Sequence, residues 1–283
     1  MSITSSSILV DMNISVWTAA KVDKEATDKV LVDNYAVKGA AQVKKNLMAG
    51  TSSRKQIADY AAGCRVWHAA RTLPWADKGT RLLPTSLFMD YKAEANVRRA
   101  TFDKAVSDFL AEYPSLVQQA GNYQGALFDI NDYPHVEEVR EKFAFKLVFS
   151  PLPETGDFRL DLPQQDLEEM KQGYEQAFES RLNDAMRAPW EQMHKMLAGM
   201  SEKLNESDGE TKKRWHDTFI TNAQDLCQML THLNVTKDPK LEQARRELEN
   251  TLLGVDIDDI KSDPLVRANV KDDLDAMLKK YEW

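Results

Sequence analysis

Residues 163–204 read PQQDLEEMKQGYEQAFESRLNDAMRAPWEQMHKMLAGMSEKL, and the spacing within them sets the fold class. Leu167, Met170, Tyr174, Phe178, Leu182, Met186, Trp190, Met193, Leu197, Met200 and Leu204 recur every three or four residues. The ten steps cover 37 residues, or 3.7 per step, which holds one apolar stripe on one face of an α-helix. A period above 3.5 predicts straight or slightly right-handed packing rather than a left-handed coiled coil. Pro189 falls inside the stripe; it lacks an N–H and crowds the preceding turn, so a kink or a split in two is expected there.

Reading outward, residues 205–209 make a turn, and Trp215, Phe219, Leu226, Leu230 and Leu233 form a returning stripe. Two matched stripes joined by a short loop predict an antiparallel helical hairpin. Asp238-Pro239 and Asp263-Pro264 each begin a further helix, with aspartate as the N-cap and proline at the first helical position. Upstream, residues 150–163 are proline-rich and separate a mixed α/β domain (1–162) from a helical domain (163–283). In the first domain, residues 10–16 alternate apolar and polar, and residues 143–149 place large apolar side chains at every odd position. Both predict strands. Phe158-Arg159-Leu160 is a candidate short partner strand. Residues 24–48 read as weak helix with a break at Gly39. Clearer helices are expected from residue 51–53 to Leu73, and from Ser86 to Tyr113, with Pro114 as a stop or restart. The expected class is α+β, predominantly α-helical. A small antiparallel sheet and N-terminal helices come first, followed by the long hairpin and two C-terminal helices.

Composition limits the function classes. Hydrophobic residues are 42% and charged residues 29%, enough apolar material for a packed core. No window holds the roughly 18–20 apolar residues of a membrane span. Residues 1–7 lack the basic and apolar regions of a signal peptide. The two cysteines, Cys64 and Cys227, are too few for a disulfide framework and sit at helix-core spacing, which fits a reducing cytoplasm. Charge is polarised. Residues 1–150 carry 19 Lys and Arg against 17 Asp and Glu, while the rest carry 18 against 28. Residues 38–104 alone hold 13 basic and 5 acidic side chains.

The familiar catalytic patterns do not occur. The five histidines and two cysteines show no C-x-x-C or H-x-x-x-H spacing, and Cys64 with His68 continues an apolar helix face. There is no G-x-S-x-G elbow, no Walker A loop and no G-x-G-x-x-G. Asp256, Asp258, Asp259 and Asp263 lack the central glycine and final glutamate of an EF-hand and read as a solvated loop. No cofactor or metal is expected. The basic stretch offers more. Arg54, Lys55, Arg71, Lys78, Arg81, Arg98 and Arg99 lie among aromatic residues, with Trp75 in a proline-bounded loop as the ring most open to solvent. Cations for phosphates and flat rings for bases are what single-strand binding uses. At the other end, Tyr281 and Trp283 either tuck into the helical domain or dock a partner.

Three segments carry a resemblance. They are Leu73-Pro74-Trp75 with Arg81-Leu82-Leu83-Pro84, then Phe109-Leu110-Ala111-Glu112-Tyr113-Pro114, then Tyr133-Pro134 through Phe143 and Phe145 to Phe149-Ser150-Pro151-Leu152-Pro153 and Asp157-Phe158. Over residues 70–160 the chain resembles an uncharacterised family of phage and bacterial proteins. Its members are often encoded beside MoxR-type AAA+ ATPases and von Willebrand factor A-like proteins. The resemblance implies a phage or mobile-element origin and an ATPase neighbour, and no catalytic role. The leading expectation is a non-enzymatic accessory or adaptor protein of the host-cell cytoplasm. It would work through helix-mediated assembly with itself, as a homo-oligomer, or with a AAA+ ATPase. The alternative is a single-stranded nucleic-acid-binding protein of phage replication or recombination. An enzyme on an unfamiliar scaffold would need a pocket where polar groups converge.

Overall fold

A computed structural model describes residues 3–76, 79–153, 163–205 and 218–281. In chain order the elements are α1 (Ile3–Ser6), β1 (Ser7–Ser15), β2 (Ala20–Asp23), α2 (Lys24–Asp33), β3 (Val43–Asn46) and α3 (Ser53–Ala70). Next come β4 (Leu73–Pro74), β5 (Thr80–Pro84), α4 (Phe88–Gln124), α5 (Val136–Arg140) and β6 (Ala144–Pro151). The helices α6 (Gln164–Leu204), α7 (Thr218–Leu233), α8 (Pro239–Thr251), α9 (Ile257–Ser262) and α10 (Pro264–Lys280) complete it. The class is α+β and mostly helical, with a small sheet of order β4-β5-β1-β6. Strand β1 runs antiparallel to β5, from Ser7 opposite Pro84 to Asp11 opposite Thr80. Among the described residues no helix is long and apolar enough to cross a membrane.

The chain clusters in space into two compact units, each assembled from several stretches. One comprises Met1–Asp11, Ala69–Tyr91 and Val148–Trp283; the other comprises Met12–His68 and Lys92–Leu147. This division differs from a cut at residue 162, because Leu73, Trp75, Leu82 and Leu152 bury their side chains with Ala185 of α6 and Leu233 of α7. In that unit α6 presents Met193, Leu197, Met200 and Leu204 to Ala223, Cys227 and Leu230 of α7, Leu241 and Leu248 of α8, and Leu274 and Met277 of α10. Each buried leucine or methionine among them contributes about 1.5–3 kcal/mol by leaving water. Pro189 does not split α6, which stays helical on both sides of it, with the proline itself buried. The segment joining α6 to α7 and the candidate strand at Phe158-Arg159-Leu160 lie outside the described residues.

Cap chemistry sets the boundaries at the C-terminal end. Asp238 accepts from Lys240 N at 2.8 Å and Asp263 from Leu265 N at 2.8 Å, with Pro239 and Pro264 opening their helices. The acidic cluster is resolved the same way. Asp256 accepts from the N–H groups of Asp258 and Asp259 while the Asp259 carboxylate accepts from Asp256 N, a capping box for α9.

The second unit packs α3 and α4 against β1 and β6. Phe102 and Phe109 of α4 meet Phe145 and Phe143 edge-on, each at 5.8 Å. Helix α4 passes straight through Pro114 to Gln124 rather than ending there. Residues 24–48 divide differently from the weak helix broken at Gly39 that their sequence predicts. Only Lys24–Asp33 is helical, and Val43–Asn46 is a strand paired antiparallel with Ala20–Asp23. The alternation of half-buried Val43 and Lys45 with exposed Lys44 and Asn46 is a strand pattern too short to register against the helical one.

On α8, Arg245 is almost fully buried and donates to both carboxylate oxygens of Glu242, at 2.8 and 2.9 Å, and to Glu249 at 3.0 Å. Arg246 adds a contact to Glu242 at 2.6 Å. Arg245 foremost, with Arg246, holds the Glu242 carboxyl at about 2, well below its ordinary 4.5. Because folding depresses this pKa, the pair's stabilisation is present in full above about pH 4.5 and is lost as pH falls toward 2. Glu242→Gln should therefore lower Tm at neutral pH and leave a shallower fall between pH 4.5 and 2 than the wild type, followed by circular dichroism melts across that range.

Candidate docking surface

The residues that read as a nucleic-acid surface are mostly engaged within the fold. Arg54 donates through Nε to Trp17 O at 2.7 Å, at the end of the first strand region. Arg81 donates to Thr72 Oγ1 at 2.6 Å and to Thr72 O at 2.7 Å, and burial draws its pKa below the ordinary value. Arg98 pairs with Glu94 at 2.8 Å and lies over the Trp67 ring, 4.7 Å from its centroid. Lys55 pairs with Asp59 at 2.6 Å, Arg99 donates to Asn96 Oδ1 at 3.3 Å, and Arg71 is half-buried after α3. Trp75 is not open to solvent. It is 6% exposed and meets Phe178 of α6 edge-on at 5.2 Å, because the proline-bounded loop folds onto the helix stripe. Lys78 and Trp283 lie outside the described residues. Tyr281 is tucked rather than displayed, its ring 5.7 Å from Trp190 and packed against the helical core.

A polar cleft of about 520 Å³ lies beside β2 and α5, lined by Trp17, Lys21, Asp132, His135, Glu138 and Lys142 among others. Its most buried charge is already neutralised. Asp132, 8% exposed, pairs with Lys45 and with Lys21 at 3.0 Å. Lys45 foremost holds the Asp132 carboxyl below the usual range, and Asp132 holds the Lys45 ammonium above its own. The arrangement clamps the 129–135 loop to the paired strands β2 and β3, aided by Tyr113, whose hydroxyl donates to Pro134 O at 2.9 Å. Among the described residues no group of three His, Cys, Asp or Glu side chains is placed to hold a metal ion.

One feature that packing does not account for is the end of α2. The helix starts at Asp23, whose side chain accepts from Ala26 N at 2.9 Å, and buries only Leu31. It ends in a Schellman motif: Ala36 N donates to Leu31 O at 2.8 Å and Tyr35 N to Val32 O at 3.1 Å. The motif requires a left-handed residue at Tyr35, which has φ +51°. Glycine is the usual occupant, since a Cβ there costs about 1–2 kcal/mol. Tyr35 recovers none of that by packing, because it is 99% exposed. Val30, Val32 and Val37 are exposed around it by 39%, 72% and 78%. Together with Leu31, Tyr35 and Ala36 they place six apolar residues within eight positions, too many for one helix face to bury. That crowding is the signal the sequence carried, although the valines there read only as weak helix formers.

No protein-family model, curated protein or solved structure matches the chain.

If strain without packing describes Tyr35, its replacement should stabilise the fold. Tyr35→Gly relieves the left-handed penalty and adds back part of it as unfolded-chain entropy, for a net gain of about 0.5–1 kcal/mol. Urea unfolding should show a higher midpoint at unchanged slope. A lower midpoint would mean that the ring makes contacts that hold the fold.

Proposed function

We propose that this protein is a non-enzymatic accessory or adaptor protein that works by docking onto another protein through the end of α2. One observation carries the reading: a fully exposed tyrosine occupies a strained position where it stabilises nothing in its own chain. Tyrosine is a preferred interface anchor, combining large apolar area, few rotatable bonds and a hydroxyl. The surrounding valines extend it toward the few-hundred-Å² patch that marks interaction sites on monomers. A second copy of the chain and the AAA+ ATPase implied by the resemblance are the two partners in view. The phage or mobile-element setting rests on that resemblance alone.

Single-stranded nucleic-acid binding has less support, since Arg54, Arg81 and Arg98 already hold internal partners and Trp75 is buried. A gel shift with single-stranded DNA at low salt should show no complex that is lost steeply as salt rises, and Arg98→Ala with Arg99→Ala should change nothing. The docking reading is tested directly by a photo-crosslinking amino acid at position 35 of the full chain in expressing cells. Discrete protein adducts should form there and not from the same probe at exposed Lys55. An equal yield at the two positions would sink the proposal.

A further inference from the structure

We infer that the partner at the end of α2 is a second copy of this chain, bound about a two-fold axis with Tyr35 of each copy in the cleft of the other. The inference rests on the docking reading above and adds the identity of the occupant. Beside Tyr35 lies an open cleft of about 510 Å³ lined by Asp28, Leu31, Val32, Ala36 and Lys38 as well as by Tyr35 itself. A patch that carries both a projecting ring and an apolar recess is complementary to itself. A two-fold operation places each ring in the other recess, the residue-to-residue reciprocity that an isologous interface needs.

Charge narrows the occupant further. Asp28 and Lys38 line the same cleft, are exposed, and have no ion-pair partner among the described residues. The wider segment carries Lys24, Lys29 and Lys38 against Glu25, Asp28 and Asp33, so its formal charge is zero. A uniformly acidic or basic partner gains nothing from such a surface. A second copy gains two reciprocal pairs, Asp28 with Lys38 of the partner subunit and Lys38 with Asp28 of the partner subunit, and meets no net repulsion. The patch is small by the standard of permanent dimers, so the expected association is reversible, with a Kd on the order of 10 µM.

Sedimentation velocity of the purified full chain across the micromolar range tests this. The wild type should show a monomer–dimer equilibrium, and Tyr35→Gly should weaken it about tenfold or more while unfolding at a higher midpoint, which separates lost contact from lost fold. Asp28→Lys and Lys38→Asp should each weaken the dimer, and the double exchange should restore it to within about threefold, since reversed pairs attract as well as the originals. A wild type that stays monomeric, a dimer indifferent to Tyr35→Gly, or a double exchange no better than the singles would overturn the inference. A monomeric chain that still gives adducts with another protein at position 35 would overturn the second-copy inference alone. The absence of any adduct would overturn the docking reading beneath it.

Discussion

The burial of one long apolar stripe governs the larger part of this molecule. Helix α6 runs 41 residues, contains a proline, and is covered with charge on its outer faces. Isolated helices are marginal in water, and an interior proline costs about 3 kcal/mol more. What holds α6 together is the removal of Met193, Leu197, Met200 and Leu204 from water against α7, α8 and α10. The earlier part of the same stripe serves a different set of neighbours. Phe178 and Leu182 pack with Trp75 and Leu82, which brings strand residues from the first third of the chain onto the helix. One stripe thus has two clients, and the compact units cut across the linear order for that reason.

The basic character of residues 38–104 illustrates how a charge count overstates a surface. Arg65 donates to Ile14 O at 2.7 Å and Arg54 to Trp17 O, so two guanidinium groups serve as donors for backbone carbonyls. Arg98 lies across an indole ring, and Lys45 sits in the Asp132 clamp. Arg54, Arg98 and Lys45 are only partly exposed, whereas Arg65 reaches solvent. Part of the basic count is therefore spent on internal closure, while Lys38, Lys44, Lys55, Lys92, Arg99 and Lys104 remain on the exposed surface.

Tyr35 stands in the opposite relation to the fold. At many other positions local rules agree with tertiary packing: aspartates cap, Pro239 and Pro264 open helices, and strands turn large residues inward. At Tyr35 the local rule asks for glycine and the packing asks for nothing. A site where consistency across levels fails without any structural compensation is where function is to be sought. The polar cleft beside Asp132 lacks that property, because its central carboxylate is matched by two ammonium groups.

Periodicity and cap chemistry by themselves determined the helical second half, the strands around Val10 and Phe145, and the starts at Pro239 and Pro264, because each depends on neighbours three or four positions away or fewer. The chain's own order could not determine what lay across space. The β2–β3 pairing, the helical course through Pro114 and Pro189, and the burial of Trp75 each depend on partners far off in sequence. Residues 163–204 are legible as a stripe from their spacing alone. Which neighbours each part of that stripe would bury, and that a tyrosine at the end of a ten-residue helix would be left facing solvent, were decided only when the chain closed on itself.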